Sequence, residues 1–216
     1  MWALRDTEPM SGSLDASRRA WHGVAELLLA GPQYRESGTI RLRITPGGFA
    51  TSKEPALRVE GTTLVIDGER VAMPGHTCAG LSVLTGAPAG VPADLYHDGS
   101  GVAPDEPLRF DEAALAVLAE AFGRGDTALR RFAPDQTPVL WPEHFDVGIT
   151  VDEVNYGVSP GDGYIAEPYV YVGPWRRREG AFWNAPFGAA RPMRELSDVD
   201  AVVGFLTEGR DRAAAG

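Results

Sequence analysis

Cysteine occurs once in the 216 residues, at Cys78, which excludes an intrachain disulfide and any zinc site built on paired cysteines. Lysine also occurs once, at Lys53, and the twenty basic residues are outnumbered by thirty acidic ones. The resulting formal charge of -10 argues against a general nucleic-acid role, because polyanion binding needs a basic face. The densest positive run, Arg176-Arg177-Arg178, is short enough to read as a solvated turn. No stretch approaches the roughly 18 apolar residues of a membrane span. The opening MWALRDTEPM lacks the basic start and apolar centre of a secretory signal. A cytoplasmic location with no membrane and no nucleic-acid partner is the expectation. Nineteen arginines beside abundant alanine, glycine and proline match a GC-rich bacterial gene.

What is present is a folding chain with 44% hydrophobic residues, long enough to bury a substantial core. Leu14, Trp21, Val24 and Leu28 share a helix face, so a helix is predicted over about 14–30, capped by Ser13 and stopped at Gly31-Pro32. Residues 39–45 alternate as a strand. Three short strand-like runs follow, 57–60, 63–66 and 70–73, with a hairpin signal at Asp67-Gly68. Residues 77–84 read as a short helix, and 86–107 as turn-rich linker or crossing loop.

Asp111 opens the strongest helix, with Leu115, Leu118, Phe122, Leu129 and Phe132 on one face and a possible break at Gly123 and Gly125. Strands are predicted over 144–152 and 169–173 with a loop at 155–163 between them. A last helix is capped by Ser197 and finished by Gly209. The fold class is α+β: two helix–sheet–helix halves, mainly antiparallel strands packed with helices. The divisions expected are a flexible arm at 1–12, an N-terminal half at 13–85, a linker at 86–109 and a C-terminal half at 110–216.

Residues 140–188 carry the functional signal. Three of the five tryptophans, four of the six tyrosines and both asparagines fall there. These side chains join flat apolar surface to a hydrogen-bonding edge, as a small-molecule pocket requires. On a strand, His144 and Asp146 would leave one face about 7 Å apart, where the acid can orient the imidazole as a general base. Spacing sets no third ligand beside them, so no metal is expected, and the sequence leaves any cofactor unknown. The ligand-contacting candidates are Trp141, Glu143, Asn155, Tyr156, Asp162, Glu167, Tyr169, Tyr171, Trp175, Trp183 and Asn184.

Two motifs match only on paper. Gly157-Val158-Ser159-Pro160-Gly161 has the spacing of a nucleophile elbow, but no helix pattern follows and Pro160 lacks the amide an oxyanion hole needs. Gly161-Asp162-Gly163-Tyr164-Ile165-Ala166 opens no helix, so it is no dinucleotide fingerprint. Cys78 two residues after His76 reads as a buried small hydrophobe, and His22 and His97 carry no signal.

The segments Trp141-Pro142-Glu143-His144-Phe145-Asp146, Tyr156-Gly157-Val158-Ser159-Pro160-Gly161-Asp162 and 167–175 (EPYVYVGPW), with Thr45-Pro46-Gly47-Gly48-Phe49, resemble a family of uncharacterised, mainly actinobacterial proteins. That resemblance implies no catalytic residue. The first half, closing on Leu81-Ser82-Val83-Leu84-Thr85-Gly86, looks a little like sterol-carrier-like modules, which would imply a cavity for a hydrophobic ligand. The leading expectation is a small-molecule-binding protein with a polar and aromatic pocket over 141–184. The alternatives are a hydrolase- or isomerase-like enzyme using His144 and Asp146, and a structural or interaction module.

Overall fold

The structure, a computed structural model, describes residues 8–92, 95–96 and 99–215, so the first seven residues of the expected arm and His97 lie outside the described residues. The fold is α+β with antiparallel strand pairing, and it divides into two compact units. The first comprises Met1–Ala119 with Leu140–Phe145; the second comprises Glu120–Val139 with Asp146–Gly216.

The first unit begins with one long helical run. Helix α1 (Glu8–Val24) passes into a π-helical segment (Ala25–Ala30) and then α2 (Gly31–Ser37). Residues 8–12, expected in a loose arm, are therefore helical. The expected stop at Gly31-Pro32 does not occur either. The Gly31 N–H donates to the Glu26 carbonyl five residues back, so the bonding ladder changes repeat just before the proline, and Pro32 takes a first-turn position where no N–H is required. The helix ends instead at Gly38, in the left-handed region (φ 69°).

Strands β1 (Leu42–Thr45), β2 (Gly48–Thr51), β3 (Leu57–Glu60), β4 (Thr63–Ile66) and β5 (Glu69–Ala72) follow as an antiparallel meander. Asp67 and Gly68 both have positive φ, as the predicted two-residue hairpin demands. β2 was not anticipated. Its all-buried Gly48-Phe49-Ala50-Thr51 is specified by pairing on both sides rather than by alternation. Helix α3 (Cys78–Thr85) is capped by Thr77, and β6 (Val139–Trp141) joins β1 through Leu140 opposite Leu42. Gly90 and Pro104, between α3 and the next helix, are stitched to this unit by backbone bonds, Gly90 N–H to Leu27 O and Ala79 N–H to Pro104 O.

Trp21, Phe49 and Phe145 form an edge-on aromatic cluster at the centre of the unit, with centroids 5.4 and 5.6 Å apart. Buried Gln33 closes the same core. Its amide donates to the carbonyls of Thr39 and Arg41, and its oxygen accepts the N–H groups of Ser52 and Lys53. Four backbone groups are thereby satisfied, of which the Arg41 carbonyl also accepts from the Ser52 hydroxyl at 2.6 Å.

Helix α4 (Glu112–Phe132) starts in the first unit, capped by the Asp111 carboxylate on Ala114 N–H, and continues unbroken into the second. There β7 (Asp146–Val151), β8 (Val154–Ser159), β9 (Tyr169–Pro174) and β10 (Ala189–Pro192) form an antiparallel meander. Helix α5 (Val199–Ala215) is capped by Asp198 rather than the expected Ser197, and it runs past Gly209.

One face of this meander carries Val147, Ile149, Tyr156, Val158, Val170 and Val172, all buried. Two glycines explain why the expected helix breaks are absent. A Cβ on Gly125 would lie 2.6 Å from a Val158 methyl, and one on Gly209 would lie 2.6 Å from a Val172 methyl. These glycines are packing points, not breakers. Glycine to alanine inside a helix ordinarily stabilises by about 1 kcal/mol. Here the sign reverses: Gly125→Ala and Gly209→Ala each destabilise by about 1–3 kcal/mol, since valine is stiff and cannot swing away. Chemical denaturation of the two variants checks this.

Candidate functional site

In the second unit, strand parity and register decide which side chains share a surface. Gly148 of β7 stands opposite Gly157 of β8, and Gly157 opposite Tyr171 of β9. Asp146, Gly148 and Thr150 therefore share a face with Asn155, Gly157 and Ser159, and with Tyr169 and Tyr171. The opposite face is the valine core. The corrected boundaries matter here: Asn155–Ser159 was expected in a loop and is instead most of β8, turned from β7 by Asp152 and Glu153, both in the left-handed region.

The two glycines clear a lane across this face. A Cβ at Gly157 would sit 2.5 Å from the Tyr171 hydroxyl, and one at Gly148 would sit 3.1 Å from it. With both absent, the Tyr171 ring lies over β8 and its hydroxyl donates to the Asp146 carboxylate on β7. Tyr169, two residues earlier on the same face, donates to Asp162 Oδ2 at 2.5 Å. The other oxygen of Asp162 accepts the N–H groups of Tyr164 and Ile165, at 2.7 and 2.9 Å, which fixes the loop after β8.

Two phenol–carboxylate pairs thus stand side by side, with tyrosine rings 6.4 Å apart. Burial first, and then the adjacent carboxylates, push both phenols well above the ordinary tyrosine range, so they remain neutral donors at neutral pH. Phe187 covers them, its ring 6.1 Å from Tyr169 and 6.4 Å from Tyr171, and Tyr164 meets Phe187 edge-on at 5.6 Å. Both outer rings are open to solvent, Tyr164 at 53% and Phe187 at 37%.

The remaining sequence candidates in this unit separate cleanly. Tyr156 is on the core face, packed on Phe132 at 4.7 Å, with burial pushing its phenol to about 12. Its side chain is turned away from the face that carries Tyr169 and Tyr171. Asn155 is exposed and accepts from the Thr150 hydroxyl at 2.8 Å. Asn184 binds both backbone groups of Ala190 and so pins the 182–188 loop to β10. Glu167 pairs with Arg194, Trp183 meets Phe182 edge-on, and Trp175 is 65% exposed beyond the end of β9. Ser159 is buried at the end of β8, where it accepts the Gly161 N–H; no helix follows it.

In the first unit, Trp141 lies under the Arg41 guanidinium, 5.6 Å from its carbon. His144 Nε2 is 2.9 Å from Glu143 Oε1. The strand expected over 144–152 starts only at Asp146. Residues 142–145 are a turn with Phe145 in the left-handed region, so the parity argument that put His144 and Asp146 on one strand face does not hold. The carboxylate beside His144 is Glu143, and Asp146 is engaged by Tyr171.

Sequence reasoning missed Phe187, which lies among Gly, Pro and Asn where no periodicity marks it, and the Gly148/Gly157 lane, where glycine alone reads as a turn. Among the described residues, no group of three or more histidine, cysteine, aspartate or glutamate side chains is placed to hold a metal, and no helix is long and apolar enough to cross a membrane. No protein-family model, no curated protein and no solved structure matches this chain.

Proposed function

We propose that this chain binds a small organic ligand on the β7–β8–β9 face of its second unit. The observation that carries the reading is the pair of aligned phenol–carboxylate contacts, Tyr171 on Asp146 and Tyr169 on Asp162, beside two solvent-open rings. Asp162 and Asp146 offer acceptors, the phenol oxygens, whose single protons are given to those carboxylates, offer further acceptors, and Tyr164 and Phe187 offer flat surface for stacking. A planar ligand carrying N–H or O–H groups fits that set. Asn155 and Trp175 lie farther along the same meander and extend it.

A thermal-shift screen of small planar heterocycles tests the reading. Hits should stabilise the wild type and lose at least tenfold in affinity in Tyr171→Phe, which deletes the donor to Asp146 while keeping the ring. Hits that bind Tyr171→Phe as well as wild type would place the ligand elsewhere.

A second reading, a general-base enzyme, is favoured by one contact: the exposed His144 imidazole against Glu143. It exchanges the expected carboxylate Asp146 for Glu143. An ester or phosphoester hydrolysis lost in His144→Ala establishes it; turnover that survives His144→Ala removes it.

A further inference from the structure

The outer face of the first meander carries a row of arginines set by strand register. Arg43 of β1 stands opposite Ala50 of β2, and Ala50 opposite Arg58 of β3. Arg58 in turn stands opposite Val65 of β4, and Val65 opposite Arg70 of β5. Directly paired residues share a face, so all five point away from the core side that carries Leu42, Phe49, Val59 and Leu64. Three guanidinium groups therefore alternate with two short apolar side chains, at strand spacings of about 4.8 Å. In a chain of formal charge -10, this row runs against the overall balance.

Beside this row, residues between β2 and β3 wall a cleft of about 430 Å³ whose charged lining is Arg43, Lys53, Arg58, Glu54 and Asp67. Ala50 and Val65, both buried, also line it. The wall is held in shape from behind. Gln33 Oε1 accepts the Ser52 and Lys53 N–H groups, the Thr51 hydroxyl donates to the Pro55 carbonyl at 2.8 Å, and the Ser37 hydroxyl donates to the Glu54 carbonyl at 3.0 Å. The cleft is thus pre-formed, which lowers the ordering cost of binding. Arg43 is anchored through Nε on the Thr51 carbonyl at 3.2 Å. Neither Arg43 nor Lys53 enters an ion pair among the described residues. Arg58 and Arg70 share the single Glu60 carboxylate at 2.8 and 2.5 Å, two cations on one anion.

We infer that this cleft binds a small phosphate monoester that also carries hydroxyl groups, as a sugar phosphate does. Arg43, Arg58 and Lys53 donate to the phosphate oxygens, for which guanidinium and ammonium groups are the matching side chains. Glu54 and Asp67 accept the hydroxyls of the ligand body. A volume of about 430 Å³ lies in the range of small-molecule sites. Inorganic phosphate leaves both carboxylates without donors and feels their repulsion; an uncharged sugar leaves the three cations without an anion. The cleft shares no residue with the face proposed for ligand binding in the second unit.

Isothermal titration of the full chain with glucose 6-phosphate and ribose 5-phosphate tests the inference, against glucose and inorganic phosphate at matched ionic strength. The expected result is saturable binding of at least one ester, at least fivefold tighter than inorganic phosphate, with no binding of glucose. Arg43→Gln should weaken the ester at least tenfold and Lys53→Gln several-fold. Lys53→Gln breaks no ion pair among the described residues, so it carries the comparison if Arg43→Gln does not fold. Saturable binding of neither ester, equal affinity for inorganic phosphate or glucose, or unchanged affinity in Lys53→Gln overturns the assignment.

Discussion

Gly157→Ala should lower stability by about 3 kcal/mol and abolish ligand binding on the β7–β8–β9 face. The added Cβ would meet the Tyr171 hydroxyl at 2.5 Å, its ring carbon at 2.6 Å and the Val147 carbonyl at 2.6 Å. The first two contacts belong to a ring that can move only by giving up its hydrogen bond to Asp146; the third is backbone and cannot move without disturbing the β7–β8 ladder. Overpacking of this kind costs about 1–3 kcal/mol, and losing a hydrogen bond to a charged group adds about 1.5–3 kcal/mol, so about 3 kcal/mol allows for partial relaxation. The measurement is denaturant unfolding together with the near-ultraviolet tyrosine signal. A variant within about 0.5 kcal/mol of wild type, the range of an uninvolved surface change, would mean Tyr171 does not lie across β8.

The second large effect is in the first unit. Trp21→Ala should cost about 4 kcal/mol, the range for deleting a fully buried large aromatic. Trp21 is fully buried, its ring stands edge-on to Phe49, and its indole N–H donates to the Gly61 carbonyl at 3.0 Å. The substitution therefore opens a cavity and orphans an acceptor at the turn between β3 and β4. Trp21→Phe should recover roughly half of the loss, because it restores volume but not the N–H. If both variants lose equally, the hydrogen bond and not the packing is the dominant contribution.

The elements legible in the sequence are those where local chemistry and tertiary demand agree. The cap at Asp111 and the apolar spacing of 115–132 define α4, and Asp67-Gly68 defines its hairpin, because each needs only its own neighbours. The misreadings share a cause, which is a residue used for packing rather than for its usual local role. Gly157, Ser159 and Pro160 read as a loop, whereas Gly157 is a strand residue cleared for a tyrosine from the next strand. Asp152-Glu153 turns β7 into β8 without the glycine or asparagine that marks such turns. Pro32 reads as a helix stop, and the π segment before it absorbs the missing N–H.

Of the candidate site, Asp146, Asp162, Tyr169 and Tyr171 were legible as a polar and aromatic concentration. Their pairing depended on a strand register that sequence spacing does not encode. Tyr156 was assigned to the wrong surface because β8 was taken for loop, and parity within the strand turns it to the core.

The central claim is that the aligned tyrosine–aspartate face holds a small organic molecule. Its most direct test is native mass spectrometry of the purified chain, compared with its denatured mass and with Tyr171→Phe purified in the same way. The account predicts an added mass on the wild type that disappears on denaturation and is missing from Tyr171→Phe. The same added mass on both proteins, or a bare wild type that also takes up none of the screened heterocycles, would contradict it.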